Sequence, residues 1–308
     1  MAEARDVRVA LLIGQEKGWK NDPPLRYALK GDLEPLAKTL KTLGFELKIA
    51  KNPDANGVRQ AIQWVKNRVS KAPSVSTFLF YYSGHSDRKY LHLGPRGKNP
   101  FAYKELVHFL KKLPVKRRIA FVDSCFSGEL IRQFGSAKAY KELVRKGAKR
   151  IHKLNLSILY PNQGEQRGIQ VISSSLGFAW ESKRLKASIF TYHMLQGLRG
   201  SADRDTDGKI SVNELFDFIS TSMEKSVRQK PIMFGVVRRA RSYALAPAYQ
   251  SRLVIGPTVQ GKIRVLVGNF FWSHVKSQRR SIRLSVVHGK GMVELEQGGS
   301  CWQQPMSF

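Results

Sequence analysis

Two short segments carry side chains suited to thiol chemistry. Ser83-Gly84-His85-Ser86 follows the apolar run Thr77–Tyr82, and Asp123-Ser124-Cys125-Phe126-Ser127-Gly128 follows Ile119–Val122, so that His85 and Cys125 stand forty residues apart. A cysteine attacks a carbonyl carbon as its thiolate, and it needs a partner to move protons and donors for the oxyanion that forms. The His85 imidazole would move the proton, and the Cys125 N–H would serve as one oxyanion donor. A helix starting near Cys125 would place partial positive charge beside the thiol and lower its pKa. Gly84 and Gly128 would let the backbone turn tightly around both groups. Alone, Cys125 reads better as a small buried residue and His85 as a satisfied core histidine; their pairing at two strand ends is what reverses this in favour of chemistry.

A second constellation is Asp203-Arg204-Asp205-Thr206-Asp207-Gly208 with Glu214 at the twelfth position. It satisfies the EF-hand loop pattern: Asp203, Asp205, Asp207 and Glu214 offer carboxylates, Lys209 its backbone carbonyl, and Gly208 the sharp turn. Ile210 at the eighth position would pack inward. The expectation is Ca²⁺ as a ligand of this loop, with no cofactor needed for the thiol chemistry itself.

These residues must be positioned by a sheet. The first two-thirds of the chain alternate strand-like and helix-like segments, which argues for a parallel α/β arrangement. Val7–Ile13, Phe45–Ile49, Thr77–Tyr82, Arg118–Asp123 and Gly168–Ser174 read as strands. Asp32–Leu43, Asn56–Val69 and Tyr103–Leu113 read as helices from their apolar spacing, as do Ser188–Leu198 and Val212–Met223. In an open parallel sheet, function gathers beyond the carboxyl ends of the strands, where both motifs fall. After Pro231 the pattern changes to short alternating runs at Ser251–Ile255, Gly261–Val267, Ser281–Val287 and Met292–Leu295. The expected organisation is therefore a main domain over 1–230 and a β-rich appendage over 231–308.

The composition is that of a folded protein, with 42% hydrophobic and 10% aromatic residues. Fifty-three Lys and Arg against 23 Asp and Glu give a net charge of +30, which implies attraction to polyanions. Neither zinc-finger spacing nor an RNA-binding signature accompanies that charge. Two cysteines, Cys125 and Cys301, do not make a disulfide scaffold. No run approaches a membrane span, and the N-terminal apolar run is too short for a secretory segment. A reducing, cytoplasmic setting is the expectation.

The YYSGHS and DSCFSG segments resemble the histidine and cysteine motifs of the caspase-like cysteine peptidases, closest to metacaspases and their bacterial relatives. Leu25–Asp32, Ile172–Ser175 and Ser188–His193 with Gly197-Leu198 extend the resemblance over about Val7–Val227. It implies a caspase-like three-layer α/β/α sandwich with a mostly parallel sheet, plus the small C-terminal β-rich appendage. It implies a cysteine endopeptidase with Cys125 as nucleophile, His85 as acid/base, and the N–H groups of Ser86 and Cys125 as the oxyanion hole. Metacaspases select Arg or Lys at P1 (the residue before the scissile bond) with acidic groups, and the matching positions here are Asp32, Ser83 and Asp123. For Asp32 a helix N-cap role competes with this, and for Asp123 that of a hydrogen-bonded turn residue. The implied partners are protein or peptide substrates. Ser86 stands where the family usually has glycine, and Phe126 where it often has a polar residue. The basic stretch around Lys146, Lys149 and Arg150 lies where relatives are often cut, which suggests self-processing. The competing expectation is a catalytically silent caspase-like scaffold that binds a protein or polyanion through its basic surface.

Overall fold

A computed structural model of the chain describes residues 7–71, 75–95, 97–134, 168–205, 208–224, 229–235, 245–247, 251–267, 270–277, 279, 281–286 and 290–307. The basic stretch around Lys146, Lys149 and Arg150, and Asp207 of the acidic loop, lie outside these residues. The chain divides into two compact units, Met1–Leu195 with Ile219–Arg238, and Gln196–Phe218 with Arg239–Phe308.

The first unit is built on β1 (Val7–Gly14), β2 (Phe45–Lys51), β3 (Val75–Ser83), β4 (Arg117–Asp123) and β5 (Ile169–Ser173). A π-helical turn over Ala28–Leu33 leads into α1 (Glu34–Thr42), which precedes β2. Helices α2 (Ala55–Lys71), α3 (Tyr103–Lys112) and α4 (Gly128–Arg132) fill the later connections. After β5 come the two-residue strands β6 (Glu181–Ser182) and β7 (Ala187–Ser188), which pair with each other, and α5 (Ile189–Gln196). Next are β8 (Lys209–Ile210), α6 (Val212–Glu224) and β9 (Ile232–Phe234). The main sheet runs in the order β2-β1-β3-β4-β5-β9, parallel except for β9, which pairs antiparallel with β5. The residues just after Pro231 thus complete this sheet.

Parallel strands covered on both faces read as continuous apolar runs, and β3 is the clearest case: eight of its nine residues are buried. On one face Val9, Leu11, Ile13, Phe78, Phe80, Tyr82 and Val122 form a core with Val58, Ile62 and Val65 of α2 and Leu106, Phe109 and Leu110 of α3. Burying each such side chain contributes about 1.5–3 kcal/mol. On the other face the Tyr81 hydroxyl bonds Thr191 Oγ1 of α5 at 2.7 Å. Helical layers on both sides of a mostly parallel sheet make the α/β/α sandwich expected from the sequence. Register decides the site: Ser83 of β3 pairs with Asp123 of β4, so the two strands leave the sheet level with one another.

The second unit is antiparallel. Strands β11 (Ser251–Ile255) and β14 (Ile282–Val286) pair, and β12 (Gly261–Val267), β13 (Phe270–Lys276), β15 (Lys290–Gln297) and β16 (Ser300–Ser307) form a four-stranded sheet in the order β13-β12-β15-β16. Ile263 and Val265 of the central strand are buried. A further pair joins β8 to β10 (Ala246–Pro247), so the segment carrying the acidic loop groups with this unit. No helix among the described residues is long and apolar enough to cross a membrane.

Candidate active site

His85 and Cys125 each stand two residues beyond the paired Ser83 and Asp123. The Gly84 N–H donates to the Asp123 carbonyl at 3.2 Å, fastening one exit to the other. Gly84 is required there, because a Cβ would fall 2.4 Å from Tyr82 Oη and 2.8 Å from the Gln15 side chain. Tyr82 in turn donates its hydroxyl to the His85 carbonyl at 2.6 Å. The His85 ring places Nε2 2.7 Å from the Pro23 carbonyl. A carbonyl only accepts, so Nε2 carries the proton and Nδ1 is left as the basic nitrogen. Beyond His85 the chain forms a short antiparallel bridge, Ser86 to Leu91, closed by Asp87 N–H to Tyr90 O and His92 N–H to His85 O. That pattern turns the Ser86 N–H away from its bridge partner. The Ser86 side chain is buried; its Oγ lies 2.7 Å from Ser124 Oγ and donates to the Cys125 carbonyl. The serine thus ties the two strand exits together instead of crowding the turn.

The surroundings of Cys125 correct one expectation. Helix α4 begins at Gly128, three residues later than the thiol, because Phe126 has φ +52° and cannot begin a right-handed helix. That left-handed turn is held by the Phe126 N–H on the Gly177 carbonyl at 2.6 Å and by an edge contact with the Phe178 ring at 5.2 Å. The thiol therefore lacks the helix terminus expected to lower its pKa. Burial instead pushes it above the ordinary cysteine value, and the Asp123 charge adds to this. The Ala179 N–H, 3.4 Å from Sγ, and the cysteine's own N–H pull the other way. The loop supplying Ala179 is pinned by buried Gln229, which donates to Ser174 O and accepts the Trp180 N–H, both at 3.1 Å.

Asp32, Ser83 and Asp123 come together and are all buried. Asp32 lies inside the π-helical turn and caps nothing. Its Oδ2 accepts from the Ser83 hydroxyl and its Oδ1 from the Ser188 N–H, each at 2.8 Å. Asp123 Oδ2 accepts from the hydroxyls of Ser188 and Thr191, the latter at 2.7 Å. Burial raises the Asp32 pKa well above the usual carboxylate range, with the Asp123 charge as the second cause; burial likewise raises that of Asp123. Two interacting buried acids with hydroxyl donors keep a proton longer than either would in water. Gly31 lets this turn approach β7, since a Cβ there would meet the Lys186 carbonyl at 2.1 Å. Glu181 accepts the N–H groups of Arg26 and Tyr27 at 3.0 and 2.9 Å, which caps the start of the same turn.

In the second unit, Asp203, Asp205 and Glu214 bring carboxylate oxygens within 4.8 Å of one another. Asp203 Oδ2 accepts the Gly208 N–H at 3.1 Å, while its Oδ1 is buried with no hydrogen-bond partner among the described residues. Such a hard-oxygen set fits a calcium-sized cation.

Several groups at the site are invisible in the sequence. Pro23 acts through its carbonyl and Ala179 through its N–H, and backbone chemistry leaves no mark on residue type. Ser188 and Thr191 open a helix in the sequence pattern, and nothing in their spacing to Asp123 signals the contact.

His85 and Cys125 thus follow level exits of a parallel sheet, with the buried acidic pair at the same end. The family described as Peptidase_C14, caspase domain, matches residues 7–250, about four-fifths of the chain, and the chain belongs to this family of caspase-like cysteine peptidases. No curated protein matches the chain. Among solved structures it is similar to caspase-1 from Spodoptera frugiperda, with a TM-score of 0.55 and 14% identity over 76% of this chain and 90% of that one; this likeness speaks for the fold.

Proposed function

We propose that this chain is a cysteine endopeptidase of metacaspase type that cleaves after Arg or Lys. Cys125 Sγ attacks the scissile carbonyl carbon, and the N–H groups of Ser86 and Cys125 receive the oxyanion. His85 Nδ1 takes the thiol proton and returns it to the leaving amine as the C–N bond breaks. Water then attacks the thioester with His85 as base, releasing the carboxylate product and the free thiol. The observation that carries the P1 assignment is the buried pair Asp32 and Asp123 with Ser83, level with the candidate nucleophile's strand exit. A guanidinium entering that pocket would displace the retained proton and pair with the carboxylates.

Two further elements belong to the proposal. The acidic loop takes Ca²⁺ through Asp203, Asp205, Glu214 and, by the sequence pattern, Asp207 and the Lys209 carbonyl. The net charge of +30 supports salt-sensitive contact with polyanions, and two free cysteines suit a reducing, cytoplasmic setting. The test is hydrolysis of fluorogenic peptides bearing Arg, Lys or Asp at P1, with and without Ca²⁺, beside Cys125→Ala. Cleavage after Arg or Lys that vanishes in the variant is the expected result. Cleavage after Asp would overturn the acidic pocket, and silence of a folded protein in both conditions would favour the scaffold alternative.

A further inference from the structure

Besides its ring contact with Pro23, His85 is enclosed by a circuit of hydrogen bonds that runs through a second histidine. The segment after β1 folds back on itself, with the Leu25 N–H on the Glu16 carbonyl at 2.9 Å, and presents Asp22 and Pro23 to the site. Asp22 Oδ2 accepts the Trp19 N–H at 2.6 Å and faces His92 Nδ1 at 2.7 Å. A carboxylate only accepts here, so Nδ1 of His92 is the donor. The His92 ring lies flat on Trp19, with centroids 3.7 Å apart and planes 11° from parallel. Its other nitrogen stands 3.4 Å from Asp87 Oδ2, and its backbone N–H donates to the His85 carbonyl at 2.9 Å. Both side chains of the Asp22–His92 pair are largely buried, at 17% and 11% exposure.

The bonds form a closed ring: His85 backbone to His92 backbone, His92 imidazole to Asp22, Asp22 through the peptide to the Pro23 carbonyl, and that carbonyl back to the His85 imidazole. We infer that Asp22 and His92 are positioning residues that clamp the Pro23 carbonyl against His85 and so fix the orientation of its ring. This rests on the reading of His85 as the acid/base. Without the clamp the carbonyl-bearing segment keeps its closure at Glu16 and Leu25 but loses its tie through His92 to the His85 backbone. The imidazole then has no fixed acceptor for Nε2–H, and Nδ1 no fixed direction. Small displacements of a reacting group of this kind cost rate more than binding.

The test uses the full chain in a Cys301→Ser background, so that Cys125 is the single thiol. His92→Phe preserves the flat ring on Trp19 and deletes the donor to Asp22; His92→Asn returns a side-chain N–H near the place of Nδ1. Two readouts are taken: kcat and KM on the P1-Arg peptide, and the rate of Cys125 alkylation by iodoacetamide across pH. The expected result for His92→Phe is a kcat lower by about tenfold or more, with KM within about twofold, and an alkylation profile displaced toward that of His85→Ala. His92→Asn should recover most of both, a pattern that loss of packing does not produce. Asp22→Ala gives the same reading should His92→Phe fail to fold. A folded His92→Phe or Asp22→Ala protein with wild-type kcat and alkylation profile overturns the inference. If His85→Ala abolishes activity in the same series, the clamp alone has failed; if His85→Ala is itself indistinguishable from wild type, the dyad reading falls and the clamp with it.

Discussion

Replacing Asp32 by Asn removes one buried charge with almost no change of shape. The carboxylate is wholly buried and accepts from the Ser188 N–H and the Ser83 hydroxyl. Asn keeps an oxygen for the first, and the Ser83 hydroxyl can rotate to accept the new amide. A charge-assisted hydrogen bond to a P1 guanidinium contributes about 1.5–3 kcal/mol. Asp32→Asn should therefore lower kcat/KM for a P1-Arg peptide about ten- to a hundredfold. A P1-Gln peptide has no charge to lose, so the Arg-to-Gln ratio isolates the effect. Because Asp32 and Asp123 share one pocket, the double Asn variant should lose less than the product of the single losses. Stability should move the other way. An acid whose pKa is raised by folding holds a proton that the unfolded chain has released. Its contribution to stability is complete below the unfolded pKa and is lost as pH rises through the folded one. Above that window the buried, like-charged pair opposes folding. Asp32→Asn should then melt above wild type at about pH 8, with the gap closing on acidification towards the ordinary carboxylate range. An unchanged Arg-to-Gln ratio in a folded variant would refute the pocket assignment. A lower melting temperature at pH 8 would refute the account of the buried pair.

Gly84→Ala should destabilise the fold by about 1–3 kcal/mol in a denaturant melt, since its methyl has no room between Tyr82 and Gln15. Titration calorimetry should detect Ca²⁺ binding to the full chain, with the heat lost in Asp203→Ala and Glu214→Ala; equal heats in both variants would remove the loop from consideration.

The sheet is legible because its strands are short, apolar and bounded by turn residues: Thr77–Tyr82 and Ile119–Val122 announce themselves and place both motifs at strand exits. In the second unit β13 and β16 escape a reading from pattern alone. Phe270–Lys276 lacks clean alternation, and Ser300–Ser307 is half polar and contains Pro305, as an exposed edge strand tolerates. The misplaced start of α4 has a comparable cause. Gly128-Glu129-Leu130-Ile131 has a helical pattern, but the left-handed turn at Phe126 depends on Gly177 and Phe178, which come from a different connection. Side-chain chemistry is readable and backbone chemistry is not, which is why His85 and Cys125 stand out while Pro23 and Ala179 do not.

The π-helical turn at Ala28–Leu33 makes the acidic pocket a matter of winding. The Asp32 N–H reaches back five residues to the Tyr27 carbonyl at 2.9 Å, and the Gly31 N–H shares that acceptor at 2.8 Å. A turn of this kind is an α-helix carrying one residue too many. Deleting a single residue between Ala28 and Gly31 would let it rewind as ordinary α-helix, with the Asp32 N–H still on the Tyr27 carbonyl but now four residues along. Counted from Tyr27, which Glu181 holds in place, Asp32 would therefore keep its site. The buried acidic pair would stay as it is, together with Ser83, His85 and Cys125. The turn therefore carries one residue of slack, and a lineage built on this scaffold could lose one codon there without disturbing the acidic pair.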